Sequence, residues 1–600
     1  MKENILQAFA ENVKKLGARP CFRFKQEGKW QDMSWTQAEK QVFQSAASLK
    51  VLGLKKGQMA SIFSSTRPEW TLCDLAVLSL GGITVPIYQS STTEQAAFIL
   101  RDSGSRFVFV ESEKQCAKVL SRLGELPNLE KIILISGKKT NHEKVMTFEE
   151  FLKVGRDRQD HSVWIKGFDQ IKRTHTATLV YTSGTTGNPK GAILTHGNFM
   201  SEVEACCRLF DITERDVSLL FLPLAHIFAR AMQFFQIYVG FVQAYAESID
   251  ALVDNMGEIR PHFFVSVPRI FEKVYERVLQ QAEAGSALKK AIFAWAVSVG
   301  RDISARKQQK KWVLPPLALK GKVAQLLVFK KLQKRLGGRL RYAVSGGAPL
   351  SKEISEFFHA SGILILEGYG LTETTAAINC NSSKNYRFGT VGPKVYGVEE
   401  KIASDGEICV RGPVVFQGYY KNPDATREVL TSDGWFKTGD IGEIAPDGFL
   451  RITDRKKDII VTAAGKNIAP QNIENFLKTI PFVSQVVVHG DRRKYLSALV
   501  TLNHQPIEDY AQAKKILFSD FSDLAKHPEI LVLVEKAIEE KNKQLASYES
   551  IKRFAILEND FTQETGELTP TLKVKRKFVS EKYKDILEQL YSPSQGGTHG

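Results

Sequence analysis

The sequence predicts an α/β fold with a large N-terminal domain followed by a smaller α+β C-terminal domain. Its 600 residues and 67.2 kDa exceed what one compact domain usually holds. Over about the first 450 residues, short β-like runs alternate with longer helical patterns, which is typical of sheets covered by helices. The composition, 43% hydrophobic and 25% charged, is that of a globular protein and excludes a disordered chain, a collagen and a coiled-coil rod.

The predicted strands of the large domain are short runs rich in β-branched and aromatic residues. They cover residues 107–110, 131–135, 178–181, 218–221, 263–267, 341–344 and 363–366. Helical periodicity predicts helices between or before these strands, for example over 35–52 and 269–281.

A change of pattern near residue 433 predicts that a second unit follows. Strands over 441–444 and 449–452 flank Pro446-Asp447-Gly448, a turn sequence that predicts a hairpin. Strands at 485–489 and 496–502 come next, with helices to about residue 589. We expect a large domain over 1–453, a hinge over 454–459, a small domain over 460–591 and a disordered tail, rich in Gly and Ser, over 592–600.

The cysteines and the apolar segments bear on the compartment. Seven cysteines, none in a CxxC pair, predict buried thiols in a reducing environment. The most apolar candidate span, 72–86, is interrupted by Asp74 and by Gly81-Gly82, and it falls short of the roughly 20 residues that a membrane-spanning helix needs. The first four residues start no apolar signal segment. We therefore expect a cytoplasmic location.

The formal net charge of +16 is concentrated in residues 301–341, which hold thirteen basic residues and a single acid, Asp302. With Trp295, Trp312 and interleaved leucines, this segment predicts peripheral association with an anionic membrane. The alternative is a solvated helical surface. Aromatic residues arranged to stack bases are not evident, so we expect no nucleic-acid partner.

The most informative segment is 181–191, Tyr-Thr-Ser-Gly-Thr-Thr-Gly-Asn-Pro-Lys-Gly, between two predicted strands. Small residues let backbone N–H groups converge on an anion, while four hydroxyls and Lys190 add donors and charge. It is not a Walker A loop, because a strand rather than a helix follows Gly191. A polar hairpin loop is the alternative, although loops of this length and composition are usually functional.

The same segment resembles the signature phosphate loop of the AMP-forming adenylating enzymes: acyl-CoA synthetases, luciferase-like enzymes and nonribosomal peptide adenylation domains. Four further segments resemble family motifs, namely 222–226, 345–349, 367–374 and 438–440. The resemblance extends over about residues 18–577. It implies a large adenylate-forming domain with stacked sheets and a mobile C-terminal domain. The implied ATP site comprises Thr182, Ser183, Gly184, Thr185, Thr186, Gly187, Lys190, Gly347, Ala348, Pro349, Tyr369, Gly370, Thr372, Asp440 and Arg455.

The resemblance also implies individual roles at the nucleotide. Tyr369 would stack on the base and Thr372 would hydrogen-bond the α-phosphate. Glu373, with Thr182, would hold Mg²⁺, a hard cation that prefers oxygen ligands. Asp440 would bind both ribose hydroxyls, with Arg455 as a second ribose contact.

Other interpretations of these residues stay open from the sequence alone. Tyr369 fits a buried core tyrosine, and Asp440 fits a turn cap. His226, which the resemblance places near the carboxylate and the α-phosphate, fits a hydrogen-bonded core histidine.

A lysine from the small domain is implied to bridge the substrate carboxylate and the α-phosphate. We assign it to Lys573 rather than Lys575, in a segment where many relatives carry Ser-Gly-Lys and this chain has Thr-Leu-Lys. A solvated basic surface is the alternative. In the family the small domain rotates between two half-reactions, which implies hinge roles for Asp454 and Lys457.

Other features resemble the long-chain fatty acyl-CoA synthetases: the signature over 433–470, the segment 268–275 and an insert near 506–548. The implied activity converts a fatty acid and ATP to acyl-AMP and pyrophosphate, and then transfers the acyl group to CoA. Mg²⁺ is the implied cofactor, and Gly465 and Lys466 would line the CoA channel.

The acyl pocket is expected to have walls of Phe234, Phe235, Val265 and Val344, although ordinary core is the alternative for each. The main alternative activity is a fatty acyl-AMP ligase that passes its product to a carrier protein. A luciferase-like oxygenase and a basic binding protein with a vestigial nucleotide site are the remaining ones.

Overall fold

The computed structural model describes residues 2–156, 160–182, 189–463, 466–569 and 572–592. Two large, mainly parallel sheets form the N-terminal part of the chain. The first has seven strands, parallel except for the hairpin that joins the last two. In spatial order they are Val145–Thr147, Lys131–Leu134, Phe107–Val110, Met59–Phe63, Ile83–Ile87, Thr176–Thr182 and Lys190–Thr195.

The second large sheet has eight strands, with parallel pairing in its interior and antiparallel pairs at both edges. One hydrophobic core contains residues of both sheets, for example Phe109 and Ala343. In spatial order the strands are Asn379–Cys380, Leu364–Tyr369, Tyr342–Ser345, Phe263–Ser266, Val217–Leu220, Val242–Tyr245, Pro20–Gln26 and Lys29–Ser34.

Three smaller sheets follow. An antiparallel sheet has the strands Glu399–Ile402, Glu407–Arg411, Phe436–Ile444 and Leu450–Arg455. The C-terminal part contains Ile460–Val461 paired with Asn467–Ile468, and a three-stranded sheet of Val483–His489, Leu496–Leu502 and Ile551–Ile556. The hairpin predicted at Pro446-Asp447-Gly448 is confirmed, since the Gly448 N–H donates to the Ala445 carbonyl at 2.8 Å.

Helices cover the sheets, and many begin at a capping residue. Thr195 starts one of them with a capping box, in which its hydroxyl accepts from the Asn198 N–H and the Asn198 side chain accepts from the Thr195 N–H. The α-helices are Ile5–Leu16, Trp35–Val51, Pro68–Ser79, Thr93–Ser103, Glu113–Leu120, Phe148–Val154, His161–Gly167, His196–Leu209, Ile227–Val239, Leu252–Ile259, Pro268–Glu283, Ala287–Gln308, Pro315–Ala324, Lys330–Arg335, Lys352–Ala360, Pro423–Val429, Pro470–Leu477, His504–Lys514, Phe521–Lys526, Pro528–Asn542, Arg576–Lys582 and Lys584–Gln589.

The predicted alternation of strands and helices is confirmed, with shifts of one to three residues at several ends. The strand predicted over 341–344 begins one residue later, at Tyr342. The strand predicted over 363–366 continues to Tyr369, because Gly368 and Tyr369 pair with the short edge strand Asn379–Cys380. Edge pairing of this kind leaves no apolar pattern in the sequence.

A buried ion pair joins helices that lie beside the two large sheets. Arg230 is 1% exposed, and its guanidinium donates to both carboxylate oxygens of Asp74, at 2.5 and 3.0 Å. Gln233 adds a hydrogen bond of 2.7 Å to the same carboxylate. Such pairs tolerate loss of one partner badly, because the other charge is left buried and uncompensated. The helix Ile227–Val239 is thereby fixed to Pro68–Ser79.

The C-terminal part has hydrophobic clusters of its own, one from Ile460 to Ile551 and another from Val487 to Leu587. The cysteines, which all lie in the described ranges, are free, and five of the seven are buried. Across the described residues, no helix is both long and apolar enough to cross a bilayer.

Candidate active site

Loops at the carboxyl ends of the parallel strands meet a loop of the C-terminal part at one cleft. Ligands in open α/β sheets bind at this edge. The cleft holds about 1060 Å³ of space, including its opening to solvent. The large domain contributes His226 and the loop residues Gly347, Ala348 and Pro349, and the C-terminal part contributes Lys573.

His226 is the N-cap of the helix Ile227–Val239, and its Nδ1 accepts from the Phe228 N–H at 3.2 Å. The other ring nitrogen, Nε2, therefore carries the proton of the neutral ring. Burial, followed by the charge of Lys573, lowers the pKa of His226 to about 4. The ring is thus neutral at pH 7 and presents a hydrogen-bond donor.

Tyr369, Asp440 and Arg455 form one group, joined by a hydrogen bond and an ion pair. The Tyr369 hydroxyl donates to Asp440 Oδ2 at 2.6 Å, and Arg455 Nε lies 3.3 Å from Asp440 Oδ1. Asp440 and Arg455 are directly opposite each other on two antiparallel strands, which explains their contact. Burial and the neighbouring Asp440 carboxylate raise the pKa of Tyr369 well above its usual value, so its hydroxyl stays protonated.

Glu373 lies just after the strand that ends at Tyr369, in the turn Thr372–Thr374. Its Oε1 accepts from the Tyr419 hydroxyl at 2.8 Å, and burial raises its pKa. Gly370 permits the fold of this segment, because a Cβ there would lie 1.3 Å from the Ala376 carbonyl oxygen.

Lys190 and Thr182 pair across the hairpin that carries the predicted phosphate loop. Lys190 Nζ lies 5.3 Å from the centre of the Tyr419 ring, so Tyr419 is shared between Lys190 and Glu373. The Thr182 hydroxyl lies 3.4 Å from the Lys190 carbonyl. The remaining predicted loop residues, Ser183, Gly184, Thr185, Thr186 and Gly187, lie outside the described residues.

Oxygen donors in this region suit a divalent cation. Glu373 has a carboxylate and Thr182 a hydroxyl, both of which Mg²⁺ accepts as ligands. One carboxylate oxygen of Glu373 accepts from Tyr419, which leaves the second for another partner. The described residues contain no ready-made cluster of three or more His, Cys, Asp or Glu that could hold a metal. A cation here would need further oxygen ligands from water or phosphate.

Lys573 lies in the cleft, whereas Lys575 is not among the residues that line it. A tight turn fixes the Lys573 backbone, since its N–H donates to the Thr569 hydroxyl at 3.0 Å and its carbonyl accepts from the Thr569 N–H at 2.8 Å. Burial and then the charge of Arg455 lower the pKa of Lys573 to about 8, against the opposing charges of nearby aspartates.

Arg269 connects the large domain to the C-terminal part. It starts from the helix Pro268–Glu283 and is 9% exposed. It donates to the Ser484 carbonyl at 3.1 Å and to the Ser484 hydroxyl at 2.7 Å, and that hydroxyl donates to Asp560 at 2.6 Å. A second contact lies beside it, with Lys478 Nζ 3.3 Å from Glu272 Oε1. These contacts close one side of the cleft.

The predicted hinge residues lie between the two parts of the chain. Asp454 is buried and accepts from the Arg455 and Gln471 N–H groups, and burial raises its pKa to about 6. The side chain of Lys457 is exposed. Its neighbour Lys456 contacts two carboxylates of the large domain, at 2.7 and 2.9 Å.

Of the two residues predicted to line a CoA channel, Lys466 does not join this cleft. Lys466 is exposed, is not among the residues that line the cleft and lies 5.9 Å from the centre of the Tyr548 ring. Gly465 lies outside the described residues.

An apolar cavity adjoins the cleft. It encloses about 890 Å³ including its mouth, and both spaces are lined by His226, Phe228 and Gly347. Of the predicted acyl-pocket residues, Phe235, Val265 and Val344 line the cavity. The prediction for the fourth residue, Phe234, was wrong. Phe234 belongs to the core, and its ring lies 4.5 Å from that of Phe199. Neighbouring residues on a helix point in different directions, and the sequence did not distinguish them.

Two features of the site were missed in the sequence. Tyr419 joins it because residues 417–420 pair with the strand Lys190–Thr195, a contact between segments more than 200 residues apart. Arg269 was noted only as part of a family-like segment, and its partners Ser484 and Asp560 carry no motif. No local pattern indicates either contact.

Comparison with known proteins is consistent with this geometry. The AMP-binding enzyme family model matches residues 9–420, and the model of the AMP-binding enzyme C-terminal domain matches 457–595. The long-chain-fatty-acid–CoA ligase FadD15 of Mycobacterium bovis is 40% identical, over 94% of this chain and 93% of its own. The peroxisomal long chain acyl-CoA synthetase 7 of Arabidopsis thaliana is 32% identical, over 98% and 85%.

The fold also matches solved structures. The adenylation domain of a carboxylate reductase from Mycobacterium chelonae superposes with a TM-score of 0.77 at 21% identity, over 98% of this chain and 91% of the other. The predicted fold, a large N-terminal domain with a smaller C-terminal domain, is confirmed.

The environment of Lys573 predicts that its amine titrates near pH 8 instead of near 10.5. Replacing Arg455 with Met removes a nearby cation and should raise the Lys573 pKa, because the ammonium form then meets less repulsion. Competitive acetylation across pH 6 to 11, read by mass spectrometry of the Lys573 peptide, measures this. Arg451→Met, an exposed change on the same strand, is the control. A Lys573 pKa above 10 in the unaltered protein would contradict this prediction.

Proposed function

The chain belongs to the AMP-binding enzyme family, and from that premise we propose that it is a long-chain fatty acid–CoA ligase. One observation carries the proposal: an apolar cavity and a polar cleft share His226, Phe228 and Gly347 at their junction. A substrate with a long hydrocarbon chain and a charged carboxylate fits such a pair of spaces. The names of the relatives, which the chain matches over most of their length, support the same substrate class.

In the proposed first step the fatty acid carboxylate attacks the α-phosphorus of ATP. A P–O bond forms, pyrophosphate leaves, and the product is the mixed anhydride acyl-AMP. No protein nucleophile is needed, so alignment and charge compensation are the tasks of the enzyme. The Lys573 ammonium and the neutral His226 donor line the space where the carboxylate would meet the phosphate.

The nucleotide would be held by the group centred on Asp440. Its carboxylate, already in contact with Tyr369 and Arg455, suits two ribose hydroxyls. Tyr369 offers a ring for the base and lines the apolar cavity, which shares Gly347 with the cleft. The hairpin between Thr182 and Lys190 would supply the phosphate contacts.

The remaining residues at the phosphates would balance charge. Lys190 and Thr372 would bind phosphate oxygens directly. Glu373, oriented by the Tyr419 hydroxyl, and Thr182 would hold Mg²⁺, which supplies positive charge at the phosphates when it is bound.

In the proposed second step the CoA thiol attacks the acyl carbon and AMP leaves. Because Lys573 and the Arg269 contact occupy one side of the cleft, the thiol needs another arrangement of the C-terminal part. We assign the hinge to residues 454–459, between domains at 1–453 and 460–591. Separate hydrophobic clusters on either side support this division. Lys457 would turn at the hinge, and Gly465 and Lys466 would line the CoA channel.

The ligase activity is tested with palmitate, ATP and Mg²⁺, with and without CoA, by measuring AMP, pyrophosphate and palmitoyl-CoA by mass spectrometry. We expect palmitoyl-CoA together with an equal amount of AMP. Lys573→Ala should lower acyl-AMP formation by about 10² or more, the typical cost of removing a group that stabilises transition-state charge. Lys575→Ala, two residues away and outside the cleft lining, is the matched control.

Other outcomes favour other activities. Acyl-AMP that accumulates equally with and without CoA would indicate an acyl-AMP ligase that serves a carrier protein. Oxygen consumption would indicate a luciferase-like reaction. No nucleotide turnover with any chain length would contradict the proposal.

We also propose that the basic segment 301–341 binds an anionic membrane, together with the start of the helix Ala287–Gln308, which runs into this segment. Large apolar side chains are exposed there beside the lysines, with Leu288 70%, Trp312 91% and Leu326 67% exposed. Exposed apolar residues rimmed by positive charge are typical of interfacial binding. A membrane is also where long-chain fatty acids partition.

Reversing the charge of Lys330, Lys331 and Lys334 to Glu should weaken cosedimentation with vesicles that contain anionic lipid. Each basic residue near such a surface contributes about 1 kcal/mol, so the triple change should lower binding by about 10² or more at low salt. The same reversal at Lys14, Lys50 and Lys55, three exposed lysines elsewhere, is the control. Unchanged sedimentation of the first variant would contradict the proposal.

A further inference from the structure

We propose that the apolar cavity selects long-chain acids that carry a hydrogen-bonding oxygen substituent, such as a hydroxyl group, recognised by Glu202 and Tyr342. The inference rests on the proposed function, because it concerns the acyl substrate of the same site. It is drawn from two buried, unpaired oxygen atoms that belong to residues lining a mainly apolar cavity.

The cavity follows two neighbouring parallel strands. Phe263 pairs with Tyr342 at their amino ends, and Val265 pairs with Val344 two residues on. Gly346, beyond the carboxyl end, still bonds to the neighbouring strand. At about 3.3 Å per residue, Tyr342 lies about 13 Å from Gly346. All these residues line the cavity, so it runs from the junction with the polar cleft down to Tyr342.

Glu202 lies on the helix His196–Leu209 and is 2% exposed. Its Oε1 accepts from the Ala377 N–H at 3.0 Å, and the Cys206 thiol lies 3.8 Å from the same atom. Its Oε2 is buried and has no hydrogen-bond partner among the described residues. Burial raises the pKa of Glu202 to about 8, so at pH 7 the group is mainly a neutral acid that can donate.

Tyr342 lies at the deep end of the cavity and is 4% exposed. Its ring stacks on Phe210, with centroids 5.7 Å apart, and lies 6.3 Å from the Phe263 ring. Its hydroxyl is buried and is likewise without a partner in the described part of the chain. Phe210 is eight residues beyond Glu202 on the same segment, about 12 Å at helical rise, so Glu202 and Tyr342 line different stretches of the cavity wall.

These two oxygens are unusual in their position. Buried polar groups are nearly always hydrogen-bonded, because an unpaired one loses its hydration without compensation. Of the side chains with unpaired buried atoms within the described ranges, Glu202 and Tyr342 are the two that line this cavity. An unsubstituted chain would leave both unpaired, whereas a hydroxylated chain would satisfy one of them. A site built to bond a substrate hydroxyl discriminates strongly against the analogue that lacks it.

The test compares palmitate with hydroxypalmitates, a set of positional isomers that carry the hydroxyl on carbon 3, 8, 12 or 16. Affinity is measured by displacement of a fluorescent fatty acid, and kcat/KM by formation of acyl-CoA. We expect at least one isomer to bind about tenfold more tightly than palmitate, the effect of one good hydrogen bond. The preferred position of the hydroxyl then reports its depth in the cavity.

Variants assign the preference to residues. Tyr342→Phe removes only the hydroxyl and should bring the affinity ratio for the deeper isomer close to one. Glu202→Met should do the same for an isomer substituted nearer the carboxyl. Glu202→Gln keeps an acceptor for Ala377 and a donor for the ligand, so it should retain the preference even where Glu202→Met folds poorly. Tyr238→Phe, on a tyrosine that does not line the cavity, should leave the ratio unchanged.

Two failures can be distinguished. Tighter binding of a hydroxylated isomer without any acyl-CoA formation would support this inference and contradict the ligase activity. Turnover of palmitate with no isomer preferred, or a preference that both Tyr342→Phe and Glu202→Met leave intact, would overturn this inference and leave the ligase activity standing.

Discussion

The candidate site depends on the contact that Arg269 makes across the cleft. Its guanidinium extends from the large domain and donates to the carbonyl and the hydroxyl of Ser484, next to Asp560. Together with the neighbouring contact between Lys478 and Glu272, it holds the C-terminal part over the carboxyl ends of the strands. It thereby brings Lys573 into the same cleft as His226. Neither part of the chain alone contains a complete set of the proposed groups, so the site needs the two parts to be in contact.

Closing the cleft also sets the electrostatics of the site. Burial is the main cause of the low pKa of His226, about 4, and of Lys573, about 8. In such an environment charge interactions are stronger than in water, so a cation aligned with a developing negative charge has a large effect. Burial also keeps Glu202 mainly neutral in the adjoining cavity, which residues of the large domain line, because an ionised carboxylate there would lose its hydration. Closure of the cleft therefore acts on the polar part of the proposed substrate, whereas residues of the large domain line the cavity for its apolar part.

Sequence patterns predicted the parts of the site that consecutive residues form. They missed the parts that depend on contacts between distant segments. The loops of the site could be found because their residues are consecutive, as in the segment from Gly347 to Pro349. The choice of Lys573 over Lys575 agrees with the lining of the cleft, although its role stays a prediction. Tyr419 and the partners of Arg269 join the site through contacts between remote segments, which leave no period or motif. The prediction for Phe234 failed for a related reason. Its neighbour Phe235 lines the cavity, whereas Phe234 packs in the core.

The most direct test of this account separates the two half-reactions in Arg269→Met. ATP–pyrophosphate exchange with palmitate reports acid activation, and transfer from synthetic palmitoyl-AMP to CoA reports the second step. Arg215→Met, at an exposed arginine of the large domain, is the control. We expect exchange to fall by about tenfold or more while transfer is retained, because only the first step needs Lys573 in the closed cleft. Exchange equal to that of the unaltered protein, or an equal loss in both reactions, would contradict it.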